Sequence, residues 1–159
     1  MLIATVRGRL TEFEGTLEVD ESGSAHGRGT ARAASIDTGD ATRDEHLRSA
    51  DFLDAESHPH LSFQSRAVES LGDGRFKVSG DLTIRGVTRP VEVEAKVHGT
   101  GRDPYGNERV ALEVRGGINR TEFGLNWNRS LETGGVLVGE RVELELDLSA
   151  VREAEQAAA

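Results

Sequence analysis

The feature that most constrains this chain is a strict two-residue alternation of apolar and polar side chains, repeated along most of its length. Successive residues of a strand point to opposite faces, so such alternation marks a strand with one buried face. In GRFKVSGDLTIR, Phe76, Val78, Gly80, Leu82 and Ile84 share one side, and Lys77, Ser79, Asp81, Thr83 and Arg85 take the other. VEVEAKV sets Val91, Val93, Ala95 and Val97 against Glu92, Glu94 and Lys96. The inward parity changes from even to odd across GVTRP, which predicts a turn or bulge there. Pro90 then opens the new strand, where a missing N–H does least harm. The rule recurs in FEGTLEV (Phe13, Gly15, Leu17, Val19) and LSFQS (Leu61, Phe63). It recurs again in VALEVRGGI (Val110, Leu112, Val114, Gly116, Ile118) and VELELDL (Val142, Leu144, Leu146, Leu148). Turn signals separate the runs: ESGS at 21–24, GDG at 72–74, DPYGN at 103–107 and TGG at 133–135.

One apolar and one charged face on every strand predict a single antiparallel sheet wrapped around its own interior. The expected fold is all-β: an antiparallel barrel of about eight strands, or a sandwich curved almost to closure. A content of 19 glycines against 3 prolines in 159 residues suits such a turn-rich domain. The domain is expected over residues 1–151, with the alanine-rich REAEQAAA (152–159) as a frayed tail. A net charge of −9 repels phosphate backbones, so nucleic acid is not an expected partner. The absence of cysteine removes disulfides, thiol catalysis and thiolate metal sites. No signal-peptide pattern opens the sequence, and no apolar run approaches the roughly 20 residues of a membrane helix.

The exception to alternation is TRDEHLRSADFLDAESHPHLSFQ (42–64), which gathers three histidines, five carboxylates and two arginines. Thr42 and Glu45 read as a capping box, predicting a short helix over 43–50 with Leu47 facing the barrel. ADFLD reads as a further turn that buries Phe52. His58 and His60 form an H-x-H, a chelating spacing on a strand. Leu61 and Phe63 take the inward parity, however, so His60 falls on the outward face beside Ser62 and Gln64, and no metal is expected. The acidic residues Asp44, Glu45, Asp51, Asp54 and Glu56 read as solvated charge rather than an acid/base pair. No G-x-S-x-G, H-E-x-x-H, Walker A or G-x-G-x-x-G motif occurs. Asn119-Arg120-Thr121 and Asn128-Arg129-Ser130 match the glycosylation triplet by chance.

Arg120 continues the inward parity of Ile118. A guanidinium there must pair with a carboxylate or meet an anionic group at the barrel mouth; Arg43 is a second candidate for that role. Inward glycines and alanines (Gly15, Gly80, Ala95, Gly116) leave room for a narrow apolar tunnel. Composition does not decide between a filled and an empty interior.

The segments TRDEHLRSADFLDAESHPHLSF, GDLTIRGVTRPVEVEAKV and GGINRTEFGLNWN resemble, in order and spacing, the YceI-like family of polyisoprenoid-binding proteins, from about Val6 to Val151. The resemblance implies a lipocalin-like barrel with an elongated apolar cavity. It further implies that a long isoprenoid or related amphiphilic lipid is carried there, with no catalytic residue and no cofactor beyond that ligand. Arg43, Asp44, His46, Leu47 and Arg48 then form a helix beside the cavity, and Asn119, Arg120, Phe123 and Gly124 match an N-R-x-x-F-G motif. Strand parity and resemblance together place Leu47, Phe52, Leu61, Phe63, Phe76, Val78, Gly80, Leu82, Ile84, Val93, Leu112, Val114, Gly116, Ile118 and Phe123 on the cavity wall. Arg43, His46 and Arg120 face a head group. Family members carry an additional strand, with a Trp and an H-S motif, before the equivalent of Val6-Arg7-Gly8. A chain beginning here is expected to leave a barrel gap with an exposed edge, whereas a longer frame would add the strand and a leader. Localisation is cytoplasmic as written, periplasmic or secreted with a leader, and the assembly a monomer or homodimer. The competing expectations are a lipid-free stress or interaction protein with a filled barrel, and an enzyme using His46, His58 or the acidic loop.

Overall fold

Alternation becomes strand wherever it occurs in the computed structural model, which describes residues 6–19, 24–129 and 138–151. The elements are β1 (Arg9–Leu10), β2 (Phe13–Val19), β3 (Ala25–Arg32), β4 (Ile36–Asp37), α1 (Ala41–Arg48), β5 (His60–Gly72), β6 (Arg75–Ile84), β7 (Val87–Arg102), β8 (Glu108–Asn119) and β9 (Arg141–Val151). Single 3-10 turns cover Ala33–Ser35 and Arg120–Phe123. Seven strands form one antiparallel sheet in the order β2-β3-β5-β6-β7-β8-β9, and β1 pairs apart with β4. The sheet curls into a half-barrel of the lipocalin-like type. Among the described residues β2 and β9 remain its two edges.

The tight connections obey turn chemistry. Asp73-Gly74 and Arg85-Gly86 are two-residue loops with positive φ at both positions (56° and 74°, 51° and 73°). Such loops match the right-handed twist of the hairpins they join. Arg85 accepts the left-handed conformation while its guanidinium donates to the Phe52 carbonyl at 3.1 Å. Between β7 and β8, the Asp103 carboxylate accepts from the Tyr105 and Asn107 amides and from Arg109 Nε. Of these, the Arg109 bond contributes most to holding its pKa down at about 2. The turn signals at 21–23 and 133–135 and the tail at 152–159 lie outside the described residues.

Four expectations are corrected. The helix starts at Ala41, because Asp40 rather than Thr42 is the N-cap, its carboxylate accepting from the Thr42 and Arg43 amides at 3.0 and 3.1 Å. It ends at Arg48, and the following segment through Ser57 is a run of turns that buries Phe52. Pro90 sits inside β7 opposite Asp81, not at its start. It is tolerated because the β7–β8 ladder begins only at Glu94–Arg115, so Pro90 needs no donor on that side. Finally, Phe13 and Leu17 are 45% and 48% exposed, because β2 is an edge with no strand beyond it among the described residues.

β3 (AHGRGTAR) has no counterpart in the apolar pattern. Its inner row is Ala25, Gly27, Gly29 and Ala31, too small to register as alternation, yet it pairs with β2 and β5 on its two sides. Past Arg28–Gln64 the β3–β5 ladder stops, and the Gly27 amide donates instead to the buried Ser65 hydroxyl at 2.8 Å. A bulge between Ser65 and Ala67 lies at the same point of β5.

Phe52, Ile84, Ile118, Phe123 and Leu125 are the buried core, packed where α1 and the Arg120–Phe123 turn close one end of the sheet. Leu47, Leu53, Leu61, Leu82, Val87, Val91, Trp127, Val138 and Leu144 surround it.

Two measurements check this account. A Cβ on Gly80 would collide with the Gln64 carbonyl oxygen and lie 2.6 Å from Phe63 Cζ, whereas one on Gly27 meets nothing closer than 3.8 Å. Gly80→Ala is therefore expected to lower unfolding free energy by about 1–3 kcal/mol in urea titrations, and Gly27→Ala to leave it nearly unchanged. Equal midpoints for the two would refute the Phe63-over-Gly80 packing. The second concerns acid. The folded pKa of Asp103 is depressed to about 2 from 3.8, so its contribution is complete above its unfolded pKa and is lost as pH falls from near 4 toward 2. In Asp103→Asn that segment of the pH–stability curve should flatten.

Candidate ligand-binding face

The ladder registers stack the inward side chains into continuous apolar rows across the sheet. Val68, Val78 and Val93 stand opposite one another on β5, β6 and β7. Phe76, Ala95, Val114 and Leu146 form the next row on β6 to β9, and Val97, Leu112 and Leu148 the one beyond. These residues are half-buried, unlike the buried cluster at the closed end. The described residues therefore leave the concave face unfilled, with its apolar rows open to the interior.

The opposite face carries charge in register. Glu69, Lys77, Glu94, Arg115 and Glu145 succeed one another across five strands with alternating sign. Arg75–Glu94, Lys77–Glu92 and Arg66–Asp81 are ion pairs of 2.5, 3.6 and 3.4 Å on this surface. Strand parity thus sorts the sheet into a hydrocarbon side and an ionic side.

The expected wall residues divide into three groups. Phe52, Ile84, Ile118 and Phe123 are core, with Leu47, Leu61 and Leu82 packed against it. Phe63, Phe76, Val78, Val93, Leu112 and Val114 are half-buried on the concave wall. Gly80 and Gly116 do not open a tunnel: Phe63 covers the first, and Val93 Cγ1 lies 2.7 Å from where a Cβ on the second would stand. Small residues here admit a neighbour's bulk rather than leaving a void.

The three head-group candidates are each held by the protein itself. Arg43 donates to Thr38 Oγ1 at 2.8 Å and to the Thr38 carbonyl at 3.0 Å. It stands beside the buried Asp44, whose carboxyl is kept below the usual range chiefly by the Thr38 hydroxyl bond. His46 bonds Asp51 at 2.9 Å and packs edge-on against Phe52 and Trp127, with centroids 5.0 and 4.6 Å away.

Arg120 is 5% exposed and meets neither a carboxylate nor an open mouth. Its Nε donates to the Gly139 carbonyl at 2.7 Å, Nη1 to those of Leu125 and Trp127 at 2.5 and 3.0 Å, and Nη2 to that of Val138 at 3.1 Å. Backbone acceptors supply what was expected of an acidic partner, because a planar fork of donors can gather several carbonyls at once. Trp127, absent from the expected wall, completes the aromatic group with His46 and Phe52. As the chain's one tryptophan, it was the available signal.

The histidines do not converge. His58 is half-buried beside Gly86, and His60 is exposed at the start of β5. Among the described residues the single grouping of three possible metal ligands is Glu113, Glu145 and Asp147, on the ionic face, where Arg115 already bridges Glu113 and Glu145. No buried side-chain nitrogen or oxygen among the described residues lacks a hydrogen-bond partner. The concave face therefore offers hydrocarbon area and shape rather than an aimed polar group. No described helix is long and apolar enough to cross a membrane.

A model of the YceI-like domain matches residues 1–150. Protein YceI of Escherichia coli O157:H7 is 42% identical over 120 residues, which make up 74% of this chain and 62% of that protein. A UPF0312 protein of Serratia proteamaculans is 40% identical over the same shares. The chain thus spans less than two thirds of the length of these curated relatives. Among solved structures, the Campylobacter jejuni YCEI protein superposes with a TM-score of 0.84 at 25% identity, covering 97% of this chain and 89% of that one. BcnA of Burkholderia cenocepacia gives 0.76 at 24% identity, over 90% and 86%.

The carbonyl cage makes Arg120 a strut rather than a ligand contact. Arg120→Ala strands buried carbonyls and should lower stability by about 3 kcal/mol or more, with Arg120→Lys intermediate because an ammonium cannot span the cage. An unchanged denaturation midpoint in the alanine variant would overturn that role.

Proposed function

The chain belongs to the YceI-like family, and from that premise we propose that it binds a long apolar amphiphile, a polyisoprenoid or related lipid, along the concave face for carriage or storage. The observation that carries this reading is the set of register-aligned apolar rows, half-exposed on the inner side of a sheet whose outer side is ionic. A contiguous apolar surface of that kind marks a binding site. A barrel filled by its own side chains would bury Val78, Val93, Leu112 and Val114, which here are half-exposed. Membership of a family of binding proteins supports the same reading.

Affinity on such a face comes from area, at roughly 0.8 kcal/mol for each buried CH₂. Because Arg43, His46 and Arg120 are engaged internally, chain length rather than head-group charge should dominate selectivity.

Native mass spectrometry of the freshly purified protein, without added lipid, tests the proposal. A retained mass removed by organic solvent, with a chain-like lipid in the extract, is the expected result. A bare mass, together with no uptake of a fluorescent polyprenyl probe, would overturn it. Val114→Asp should weaken probe uptake more than tenfold, about 1.4 kcal/mol, whereas Glu94→Gln on the outer face should leave it unchanged.

A further inference from the structure

We propose that His98 is a pH-sensitive clasp: its protonated ring pins the rim extension of the sheet through Glu113, and loss of that proton loosens the extension. This inference concerns the free protein and does not depend on what the concave face binds.

The extension arises from hairpins of unequal reach. β6 starts at Arg75, opposite Lys96, and the Gly74 carbonyl accepts from the Val97 amide at 2.8 Å. From His98 to Arg102, β7 runs on past the β5–β6 turn, paired only with β8, which pairs in turn with β9. That stretch is thinly packed: a Cβ on Gly99 or Gly101 would meet nothing within 4 Å. Its root nevertheless backs the concave wall, because Val97, Leu112 and Leu148 form a row there.

His98 stands at that root. The β7–β8 register shifts between Val97 and Gly99, so His98 is the extra residue of a bulge, a device that re-aims a side chain. Its Nε2 lies 2.7 Å from Glu113 Oε2 on the ionic face. Glu113 in turn stands opposite Lys96 on β7 and opposite Asp147 on β9.

The charged groups facing this point are Lys96 on β7, Glu113 and Arg115 on β8, and Glu145 and Asp147 on β9. β6 contributes only Arg75, which Glu94 already engages. Three carboxylates thus oppose two permanent cations, Lys96 and Arg115, and a proton on His98 balances the set. Glu113, Glu145 and Asp147 can bring oxygens within 4.8 Å of one another. Like charges in direct cross-strand opposition, as Glu113 and Asp147 are, destabilise the pairing. A protonated imidazole offsets that repulsion with a charge-assisted bond, whereas a neutral ring offers at most an ordinary one.

Imidazoles change charge between about pH 5 and 8. Glu113 stays ionised across that window, its carboxyl held below the usual range first by the His98 bond and then by Arg115. Because its value is depressed, its own contribution is lost only as pH falls below the carboxylate range. The clasp is therefore closed at about pH 5.5 and open at about pH 8.

Amide hydrogen exchange of the intact protein tests this, read as protection factors so that the intrinsic pH dependence of exchange cancels. Of the five histidines, His26, His46, His58 and His60 lie on or before β5, so a change confined to the extension reports on His98. Amides of residues 99–102 and 108–111 should lose about threefold in protection between about pH 5.5 and 8, while those of the β5–β6 ladder hold steady and serve as the folding check. His98→Gln should be weakly protected at both values, and His98→Lys, a permanent cation, well protected at both. Glu113→Gln should abolish the pH dependence as His98→Gln does. A wild-type extension whose protection ignores pH would overturn the proposal. So would a pH dependence that persists in His98→Gln or in Glu113→Gln.

Discussion

The Arg120 guanidinium is the contact on which the closed end of the half-barrel depends. It leaves β8 on the inward parity and is buried with its hydrogen bonds directed at four carbonyls, from Leu125, Trp127, Val138 and Gly139. Those acceptors come from the segment leaving β8 and the segment entering β9, so one side chain ties both to the same point. The desolvation of a buried cation is severe, and charge-assisted bonds to several oriented carbonyls are what offset it. Asn128 joins the same two segments through Val138, accepting from its amide at 2.9 Å and donating to its carbonyl at 2.7 Å. With the end fixed, Phe123 and Leu125 enter the core, and Trp127 reaches His46 on α1.

A consequence is that charge is used up before it reaches the concave face. Arg43, Asp44 and His46 are likewise engaged by Thr38 and Asp51. What the described residues present on the concave face is a wall of valine, leucine and phenylalanine, without an aimed polar code.

Much of this was legible in the sequence because a strand's period of two is a direct geometric consequence of its backbone. From β5 to β9 the parity gave the correct face for nearly every residue, and the turns at 73–74 and 103–107 followed from their own side chains. β3 escaped because its inward residues are glycine and alanine, so the apolar signal vanishes although the pairing survives. The helix start was misassigned since Asp40 and Thr42 are both competent caps, and only the backbone at Asp40, extended at φ −131° and ψ 109°, decides between them. Glycines on the inward parity suggested empty space, but the volume released at Gly80 is taken by Phe63 from the neighbouring strand. Arg120 showed that a buried guanidinium need not imply an anion, because carbonyl positions in irregular segments are invisible to pattern.

The division of labour between the two faces explains how a sheet can stand with its concave face unfilled by the described residues. Exposed ion pairs contribute only about 0–1 kcal/mol each, so the charged rows do little for net stability. Their effect is on register: a slip of one residue would turn Lys77 and Glu94 inward and Val78 and Val93 outward, reversing both faces at once. The ladders, held in that register, carry the wall from the packed end to the far rim without requiring a continuous core. Among the described residues the concave rows are left unmatched by the protein's own side chains, which is the physical condition that the proposed binding face requires.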